Sequence, residues 1–441
     1  MTKVGFVSLG CSKNLVDTEV MLYNLHAAGF EITPEEEEAE IIVINTCGFI
    51  QSAKQESIEN ILDAEKLKEW GKCKHIIATG CLVERYREEV MNEMPEIDAL
   101  VGIGSLCDIA EACQAVMRGE KYTSFRNKET APLGGDRIIT TEPHTAYLKI
   151  SEGCDNLCTY CAIPLIRGKH RSRTIEDIVT EAKDLESMGV KEVNLIAQDT
   201  TRYGLDIYGE YSLARLVRAI CENTSIPWIR LLYCYPDKIT DELIDELRDN
   251  PRLLKYMDIP IQHISDSVLA RMNRHGGSAL IRETVQKLKD RVPGIILRTT
   301  AMVGFPGETE EDFSELCEFV KETKFDRFGA FTFSPEEGTA AAEMKDQIDE
   351  QVKQDRYDCL MQTQLTVTEE KNAENVGKTI TVLCDGFDAV AEVYYGRSYG
   401  DAPDVDGKVY FTSRRRLNPG AFVEVKVTEA LDYDLVGEMI M

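Results

Sequence analysis

The chain has 441 residues, of which 43% are hydrophobic, and it carries a formal net charge of −27 at pH 7. This length predicts about three domains of roughly 150 residues each, and the apolar content is that of a globular protein. No apolar run reaches the ~18 residues that a membrane span needs, and the first residues lead directly into a strand-like segment. We therefore expect a cytoplasmic protein without membrane contact. So acidic a chain repels phosphate backbones, and a nucleic-acid partner would need a local basic patch.

Residues 1–120 alternate short, β-branched segments with helix-like segments. The predicted strands are Val4–Ser8, Ile41–Asn45, His75–Thr79 and Ala99–Ile103. A helical repeat of apolar residues lies between the first two strands and ends before Gly29. Strand–helix alternation of this kind predicts an α/β fold with a doubly wound parallel sheet.

Residues 121–145 show no clear period and are interpreted as a linker, after which a second alternating series begins. Its predicted strands are Tyr147–Ile150, Val193–Ala197, Ile229–Tyr233, Tyr256–Ile259, Ile296–Met302 and Phe328–Phe333. Six strands separated by helices predict an open or partial (β/α)6 barrel, whose chemistry lies at the carboxyl ends of its strands.

The last part of the chain changes character twice. Residues 343–374 are polar and helix-prone, and short alternating β segments follow Gly377. About 65 residues with short strands predict a small antiparallel β-barrel. The predicted domains are therefore 1–125, 140–372 and 375–441.

Three of the fourteen cysteines, Cys154, Cys158 and Cys161, lie on the first predicted β–α loop of the barrel. Three thiolates on one short loop can hold three irons of a 4Fe–4S cluster and leave the fourth iron without a protein ligand. The alternative is a zinc site, which prefers a fourth protein ligand and would take His170.

A second set of three cysteines follows three predicted strands of the first domain, namely Cys11, Cys47 and Cys81. The carboxyl ends of neighbouring parallel strands meet at one edge of a sheet, where doubly wound folds bind ligands. The pattern therefore predicts a second cluster; the alternative is three small, buried core residues. The other eight cysteines are interpreted as structural: Cys73, Cys107, Cys113, Cys221, Cys234, Cys317, Cys359 and Cys384.

With these two cysteine sets, the sequence resembles the radical S-adenosylmethionine methylthiotransferase family over its whole length. Cys154, Cys158 and Cys161, with Tyr160 before the last of them, match the radical S-adenosylmethionine signature. Cys11, Cys47 and Cys81 match the auxiliary cluster of the family, and residues 377–441 resemble its TRAM domain.

The resemblance implies two 4Fe–4S clusters and S-adenosylmethionine as cofactors. It implies that the barrel cluster binds and reductively cleaves S-adenosylmethionine, and that the resulting 5′-deoxyadenosyl radical abstracts hydrogen from an unactivated carbon. A methylthio group assembled at the auxiliary cluster with a second S-adenosylmethionine is then transferred. The resemblance also implies an electron donor such as flavodoxin or ferredoxin. A plain C–H bond offers acid–base catalysis nothing to act on, so no catalytic acid or base is assigned.

Four residues at or beside the barrel strands are candidates to bind the cofactor, namely Tyr160, Gln198, Gln262 and Arg298. Their alternative role is ordinary loop packing or a hydrogen-bonded polar group in the core. The basic run Arg167, Lys169, Arg171 and Arg173 is a candidate to hold a carboxylate, or else forms local salt bridges.

Within this family, the resemblance is greater to the branch that modifies an aspartate of small-subunit ribosomal protein twelve than to the branch that modifies an adenosine of transfer RNA. Three motifs carry this resemblance: residues 10–14, 197–204 and 334–339. In the first motif, Ser12 stands where the branch usually has Pro.

Charge supports the same branch, because residues 377–441 hold seven Lys or Arg and eleven Asp or Glu. A net charge of −4 suits a basic protein better than RNA. Asp401, Asp404 and Asp406 are the predicted recruiting surface, and any RNA contact is local, at Arg414–Arg416. The alternative of a different class is a non-catalytic iron–sulfur module that carries electrons or scaffolds an RNA complex.

Overall fold

Two parallel sheets, a closed barrel and a two-stranded hairpin organise residues 1–440, which this computed structural model describes. No helix in that range is long and apolar enough to cross a membrane.

The first sheet has the strand order β2-β1-β3-β4-β5-β6, and all its pairs are parallel. Its strands are β1 (Lys3–Ser8), β2 (Glu31–Thr33), β3 (Ile41–Thr46), β4 (His75–Gly80), β5 (Ala99–Val101) and β6 (Tyr122–Ser124). Its helices are α1 (Ser12–Ala27), α2 (Gln51–Trp70), α3 (Cys81–Tyr86), α4 (Glu88–Glu93) and α5 (Ile109–Met117). The order reverses at β1, which makes the space between β1 and β3 a topological switch point.

The first sheet is covered on both faces, as predicted, because its strands alternate their side chains between two cores. Ile42 and Ile44 of β3 belong to the same core as Ile61 of α2. Ile41 and Val43 belong to the opposite core, which α1 and α5 complete. The sequence prediction missed β2 and β6, which are short edge strands of three residues each.

The central sheet is open and parallel, with the order β14-β13-β12-β11-β10-β7. Its strands are β7 (Thr145–Lys149), β10 (Glu192–Ile196), β11 (Trp228–Leu231), β12 (Leu253–Asp258), β13 (Ile296–Val303) and β14 (Arg327–Thr332). The hairpin is β8 (Ser151–Glu152) with β9 (Arg171–Ser172). The helices are α6 (Ile163–Arg167), α7 (Ile175–Ser187), α8 (Leu205–Tyr208), α9 (Leu213–Asn223), α10 (Asp241–Asp249), α11 (Asp266–Arg271), α12 (Gly277–Arg291), α13 (Glu310–Thr323) and α14 (Glu350–Ala373). The six predicted strands are all present, with ends shifted by at most three residues.

The last sheet is a closed barrel with the order β15-β16-β17-β19-β18. Its strands are β15 (Thr379–Asp388), β16 (Val393–Ser398), β17 (Val409–Thr412), β18 (Phe422–Ala430) and β19 (Leu435–Met439). The prediction of a small barrel is confirmed, with one difference: β17 and β19 pair in parallel, which closes the barrel.

The closed barrel packs on the inner face of the central sheet, whose outer face is covered by helices. Leu383 of β15 shares a core with Tyr147, Trp228 and Tyr256 of the central strands, and Val16 of α1 joins the same core. Arg397 of β16, buried at this junction, forms ion pairs with Glu192 of β10 and Asp385 of β15. The inner face of the partial barrel is therefore contacted by both other domains.

The acidic loop predicted to recruit a basic protein is instead part of this junction. Its carboxylates meet central-sheet side chains in the pairs Asp401–Arg327 at 2.5 Å, Asp404–Tyr147 at 2.8 Å and Asp406–Tyr256 at 2.6 Å. The side chains of Asp401 and Asp406 are 4% and 2% exposed. The prediction of a recruiting surface here is wrong, because the sequence shows the charges of the loop but not the arginine and tyrosines that face it.

The excess negative charge of the last domain therefore does not lie on its surface. Between residues 377 and 440, six acidic and six basic residues are exposed: Glu392, Asp404, Glu424, Glu429, Asp432 and Glu438 against Lys378, Lys408, Arg414, Arg415, Arg416 and Lys426. The other acidic residues are buried or half-buried. The net charge of this segment consequently carries no argument for a basic partner over RNA.

Candidate functional site

The loop that carries Cys154, Cys158 and Cys161 lies between β8 and α6, at the carboxyl end of the first central strand, as predicted. Polar contacts fix its course: Asn156 Nδ2 donates to Asp199 Oδ2 at 2.8 Å, and Thr159 Oγ1 donates to the Arg271 carbonyl at 2.8 Å. Leu157, between the first two cysteines, has a φ of +52°, which a residue with a side chain rarely adopts. A strained, well-anchored loop of this kind is typical of a functional site.

Cys11, Cys47 and Cys81 follow β1, β3 and β4, three neighbouring strands around the switch point. Glycines allow their close approach. A Cβ on Gly10 would lie 2.9 Å from the Cβ of Cys47, and a Cβ on Gly80 would lie 2.4 Å from the Thr46 carbonyl oxygen; both glycines have positive φ. The structure thus brings together the three residues that the strand-end argument singled out.

The six cysteines of both sets line a single cavity of about 320 Å³ between the first and central sheets, which we call the cluster cavity. The sequence predicted two sites and gave no sign that they face each other. Within residues 1–440, no three His, Cys, Asp or Glu side chains are arranged closely enough to hold one metal ion. His170, the candidate fourth zinc ligand, is buried elsewhere, with Nε2 3.1 Å from Ser172 Oγ.

Burial makes four of the predicted ligand thiols in the cluster cavity harder to ionise. Burial raises the pKa of Cys81 and of Cys154 to about 11, and it raises the pKa of Cys47 and Cys161 as well. Burial works in the same direction on Cys11, but the positive charges of Lys13 and Arg167 together with backbone N–H groups of the following residues outweigh it and lower its pKa. A coordinated metal deprotonates a thiol outright, so such thiols suit metal ligation better than free nucleophilic chemistry.

A buried charge cluster joins the two cysteine sets. Arg167 of α6, whose side chain is 1% exposed, pairs with Asp17 of α1 at 2.7 Å and with Glu152 of β8 at 3.0 Å. Lys149 bridges the same two carboxylates at 2.5 and 3.0 Å. Arg167 Nη2 also lies 3.6 Å from the Sγ of Cys81. The sequence left two roles for this arginine, binding of a ligand carboxylate or a salt bridge within the protein. The structure shows the salt bridge, and it joins two domains.

The cluster cavity also fits a polar organic cofactor. Gln198 and Gln262 line it, and the Oε1 atoms of both side chains are buried without a hydrogen-bond partner. Gln262 has a φ of +69°, so its backbone is held in a strained conformation four residues beyond the end of β12. Tyr160 lines the same cavity and accepts a hydrogen bond from Arg274 Nη1 at 3.2 Å. Unpartnered acceptors of this kind suit the amino or hydroxyl donors of a ligand.

Arg298, the fourth predicted cofactor residue, is located differently. It lies in a second cavity of about 530 Å³ among α1, the central strands and the loop at 403–405, which we call the entry cavity. Its Nη1 is 2.9 Å from Asp258 Oδ1 and its Nε 3.5 Å from Asp406 Oδ1. This position, paired with two carboxylates outside the cluster cavity, does not support direct cofactor contact.

Sequence reasoning missed several residues of the cluster cavity. Tyr233, Cys234 and Tyr235 follow β11 and line the cavity, as do Lys13 and Arg274. The strand-end rule that found Gln198 would also have found the first three, including a cysteine that was interpreted as structural. Arg274 lies between α11 and α12, where the sequence carries no signal.

Family models match three parts of the chain. Residues 3–102 match the uncharacterized protein family UPF0004, residues 148–320 match the radical SAM superfamily, and residues 376–440 match the TRAM domain. Among solved structures, the chain resembles the radical S-adenosylmethionine methyltransferase TsrM from Kitasatospora setae with cobalamin and a [4Fe-4S] cluster bound. The TM-score is 0.57 at 14% identity, over 77% of each chain. The cobalamin-dependent S-adenosylmethionine radical enzyme OxsB gives 0.52 at 13% identity, over 83% of this chain and 58% of that one. At such identities these likenesses concern the fold.

Fold, cysteine loop and family models together define a radical S-adenosylmethionine enzyme of the transferase class, whose cofactors are S-adenosylmethionine and 4Fe–4S clusters. Full-length relatives named "Ribosomal protein uS12 methylthiotransferase RimO" are 49% identical in Desulforamulus reducens, over all of both chains, and 49% identical in Clostridium tetani, over 99% of this chain and 98% of that one. The chain belongs to this methylthiotransferase family.

Proposed function

We propose that this chain transfers a methylthio group, from a sulfide methylated by S-adenosylmethionine, to the β-carbon of an aspartate in small-subunit ribosomal protein uS12. The observation that carries the proposal is the single cavity lined by two cysteine sets from two domains. A common cavity lets hydrogen abstraction and group transfer act on the same carbon without release of the substrate.

In this proposal, Cys154, Cys158 and Cys161 hold one 4Fe–4S cluster, and Cys11, Cys47 and Cys81 hold the other. Each set leaves one iron without a protein ligand. When bound, the clusters and S-adenosylmethionine supply the electron transfer and radical chemistry that no side chain offers. The chain itself binds, orients and shields: Gln198, Gln262 and Tyr160 line the wall on which S-adenosylmethionine would lie.

The names of the relatives support uS12 as the substrate, since the identity to them is near 50% over the full length. A ribosomal substrate implies a cytoplasmic reaction, and reductive chemistry at the barrel cluster implies an electron donor such as flavodoxin or ferredoxin. The exposed Arg414–Arg416 turn offers at most a local contact to ribosomal RNA.

The proposal is tested by incubating the anaerobically reconstituted enzyme with S-adenosylmethionine, a reductant and purified uS12. Mass spectrometry is expected to find one aspartate of uS12 carrying a methylthio group in place of hydrogen. Transfer RNA added as a competing substrate is expected to stay unmodified. Methylthio-adenosine in transfer RNA with unmodified uS12 would move the chain to the RNA branch. A reduced protein that leaves S-adenosylmethionine intact would make it an electron carrier.

A further inference from the structure

The cluster cavity and the entry cavity share part of their walls. Cys11, Cys47, Phe49 and Tyr233 belong to both linings. Tyr233 is held in place by a left-handed backbone, with a φ of +61°, and its N–H donates to Asp258 Oδ2 at 3.0 Å. The two cavities therefore border each other at this tyrosine and at two of the auxiliary cysteines.

Lys13 lies against Tyr233 on the side of the cluster cavity. Its Nζ is 3.1 Å from the centroid of the tyrosine ring, and the residue is 7% exposed. A cation over an aromatic face gains a modest attraction, which does not replace a counter-ion in a desolvated position. Among the residues that the structure describes, Lys13 has no carboxylate within ion-pairing distance.

Three neighbouring cations are neutralised by carboxylates. Arg167 and Lys149 share two carboxylates, and Arg298 pairs with Asp258. Arg274 also lacks a carboxylate, but it belongs to the central domain, where it donates to Tyr160 and, at 2.6 Å, to the Pro260 carbonyl. Lys13 is thus a buried cation beside the Cys11 set, against a tyrosine that borders the entry cavity, and it has no carboxylate partner within residues 1–440.

We propose that Lys13 binds the side-chain carboxylate of the substrate aspartate and so positions its β-carbon beside the auxiliary cysteines. This inference rests on the proposed function and names a specificity residue for it. The β-carbon is bonded directly to the carboxylate carbon, so an anchored carboxylate restricts the reacting carbon to a small volume. A carboxylate entering a water-poor cavity needs a partner of opposite charge, and the flexible lysine can turn from the tyrosine face to meet it.

The test measures how the wild-type holoenzyme and Lys13→Met bind and modify two forms of uS12. One form is natural, and the other has asparagine in place of the aspartate that receives the methylthio group. Methionine keeps the length of the side chain and removes its charge. Wild type is expected to bind the aspartate form about tenfold more tightly than the asparagine form, and Lys13→Met to bind both equally. The kcat/KM for uS12 is expected to fall on the order of 100-fold in Lys13→Met. Iron content should stay at the wild-type value.

Lys183→Met, which removes an exposed lysine from α7, is the matched control and should keep wild-type binding and kcat/KM. An unchanged preference for aspartate over asparagine in Lys13→Met would overturn the anchor while leaving the proposed function intact. Loss of iron from Lys13→Met would show that the lysine charge stabilises the cluster thiolates. That result would also overturn the proposed anchor for the substrate carboxylate. A wild-type enzyme that leaves uS12 unmodified would contradict the proposed function and the anchor together.

Discussion

At the scale of single residues, the site is held by buried charges that come from both of its domains. Arg167 follows the barrel cysteine loop in sequence, yet it contacts Asp17 and Cys81 of the first domain. A buried pair gains little in net stability, but removing one partner leaves an uncompensated charge that costs several kcal/mol. Arg167 therefore couples the geometry of one cysteine set to that of the other.

Replacing Arg167 by glutamine is expected to cost about 3 kcal/mol in the free energy of unfolding, because Asp17 and Glu152 would be left with Lys149 alone. The measurement is a lower midpoint in thermal unfolding of the anaerobic holoenzyme. Lys169→Gln, at an exposed neighbour on the same segment, should shift the midpoint little. Equal unfolding midpoints for the two variants would show that the charge of Arg167 does not stabilise the fold.

How far the sequence predicts these residues depends on whether they are marked by their neighbours along the chain. The cysteines were predictable, since spacing marks one set and strand ends mark the other. Gln198 was predictable by the same strand-end rule. Lys13 and Arg274 were not, because their roles come from cavity walls built by residues far away in sequence. The partner of a buried charge cannot be identified from a single sequence.

At the scale of elements, each parallel sheet carries one set of cysteines after the carboxyl ends of its strands. These two sheet edges face each other across the cluster cavity. In the first sheet the switch point between β1 and β3 opens the crevice that Cys11 and Cys47 enter. Strands and helices were predictable, since the period of apolar residues marks them. Short edge strands and the parallel closure of β17 with β19 were not, because long-range pairing decides them.

The loop at 401–406 gives a prediction at this scale. Replacing Asp401, Asp404 and Asp406 by lysine should weaken the packing of the closed barrel on the central sheet. A lysine at position 401 would lie beside Arg327 in a buried position, where the two positive charges repel each other. The expected results are a lower unfolding midpoint and faster cleavage by trypsin at the exposed end of α14 and the residues after it. Reversing three exposed acids of β18 and its following turn, Glu424, Glu429 and Asp432, changes the same number of charges and should leave both measurements near wild type. Stable, protease-resistant protein with the loop reversed would contradict the docking role.

At the scale of the whole molecule, we propose that the two cysteine sets hold separate clusters in the one cavity that they line. The reconstituted enzyme is expected to bind about eight irons, and either triple alanine variant, of the Cys11 set or of the Cys154 set, about four. Cys234→Ala removes a cavity cysteine outside both sets and should keep about eight. Iron analysis with the absorption spectrum of the clusters measures this. Full iron retention in the Cys11 variant would show that those thiols are not ligands.

The shared cavity also predicts which half of the reaction each variant keeps. The wall with Gln198, Gln262 and Tyr160 belongs to the central domain, together with Cys154, Cys158 and Cys161. Losing the barrel set should therefore abolish both the cleavage of S-adenosylmethionine and the product. Losing Cys11, Cys47 and Cys81 should let cleavage to 5′-deoxyadenosine continue while methylthio transfer stops, because the barrel cysteines and the three cofactor candidates all remain in place. Quantifying 5′-deoxyadenosine and modified uS12 in the same reaction separates the two losses, and methylthio-aspartate made by the Cys11 variant would show that one cluster suffices for both steps.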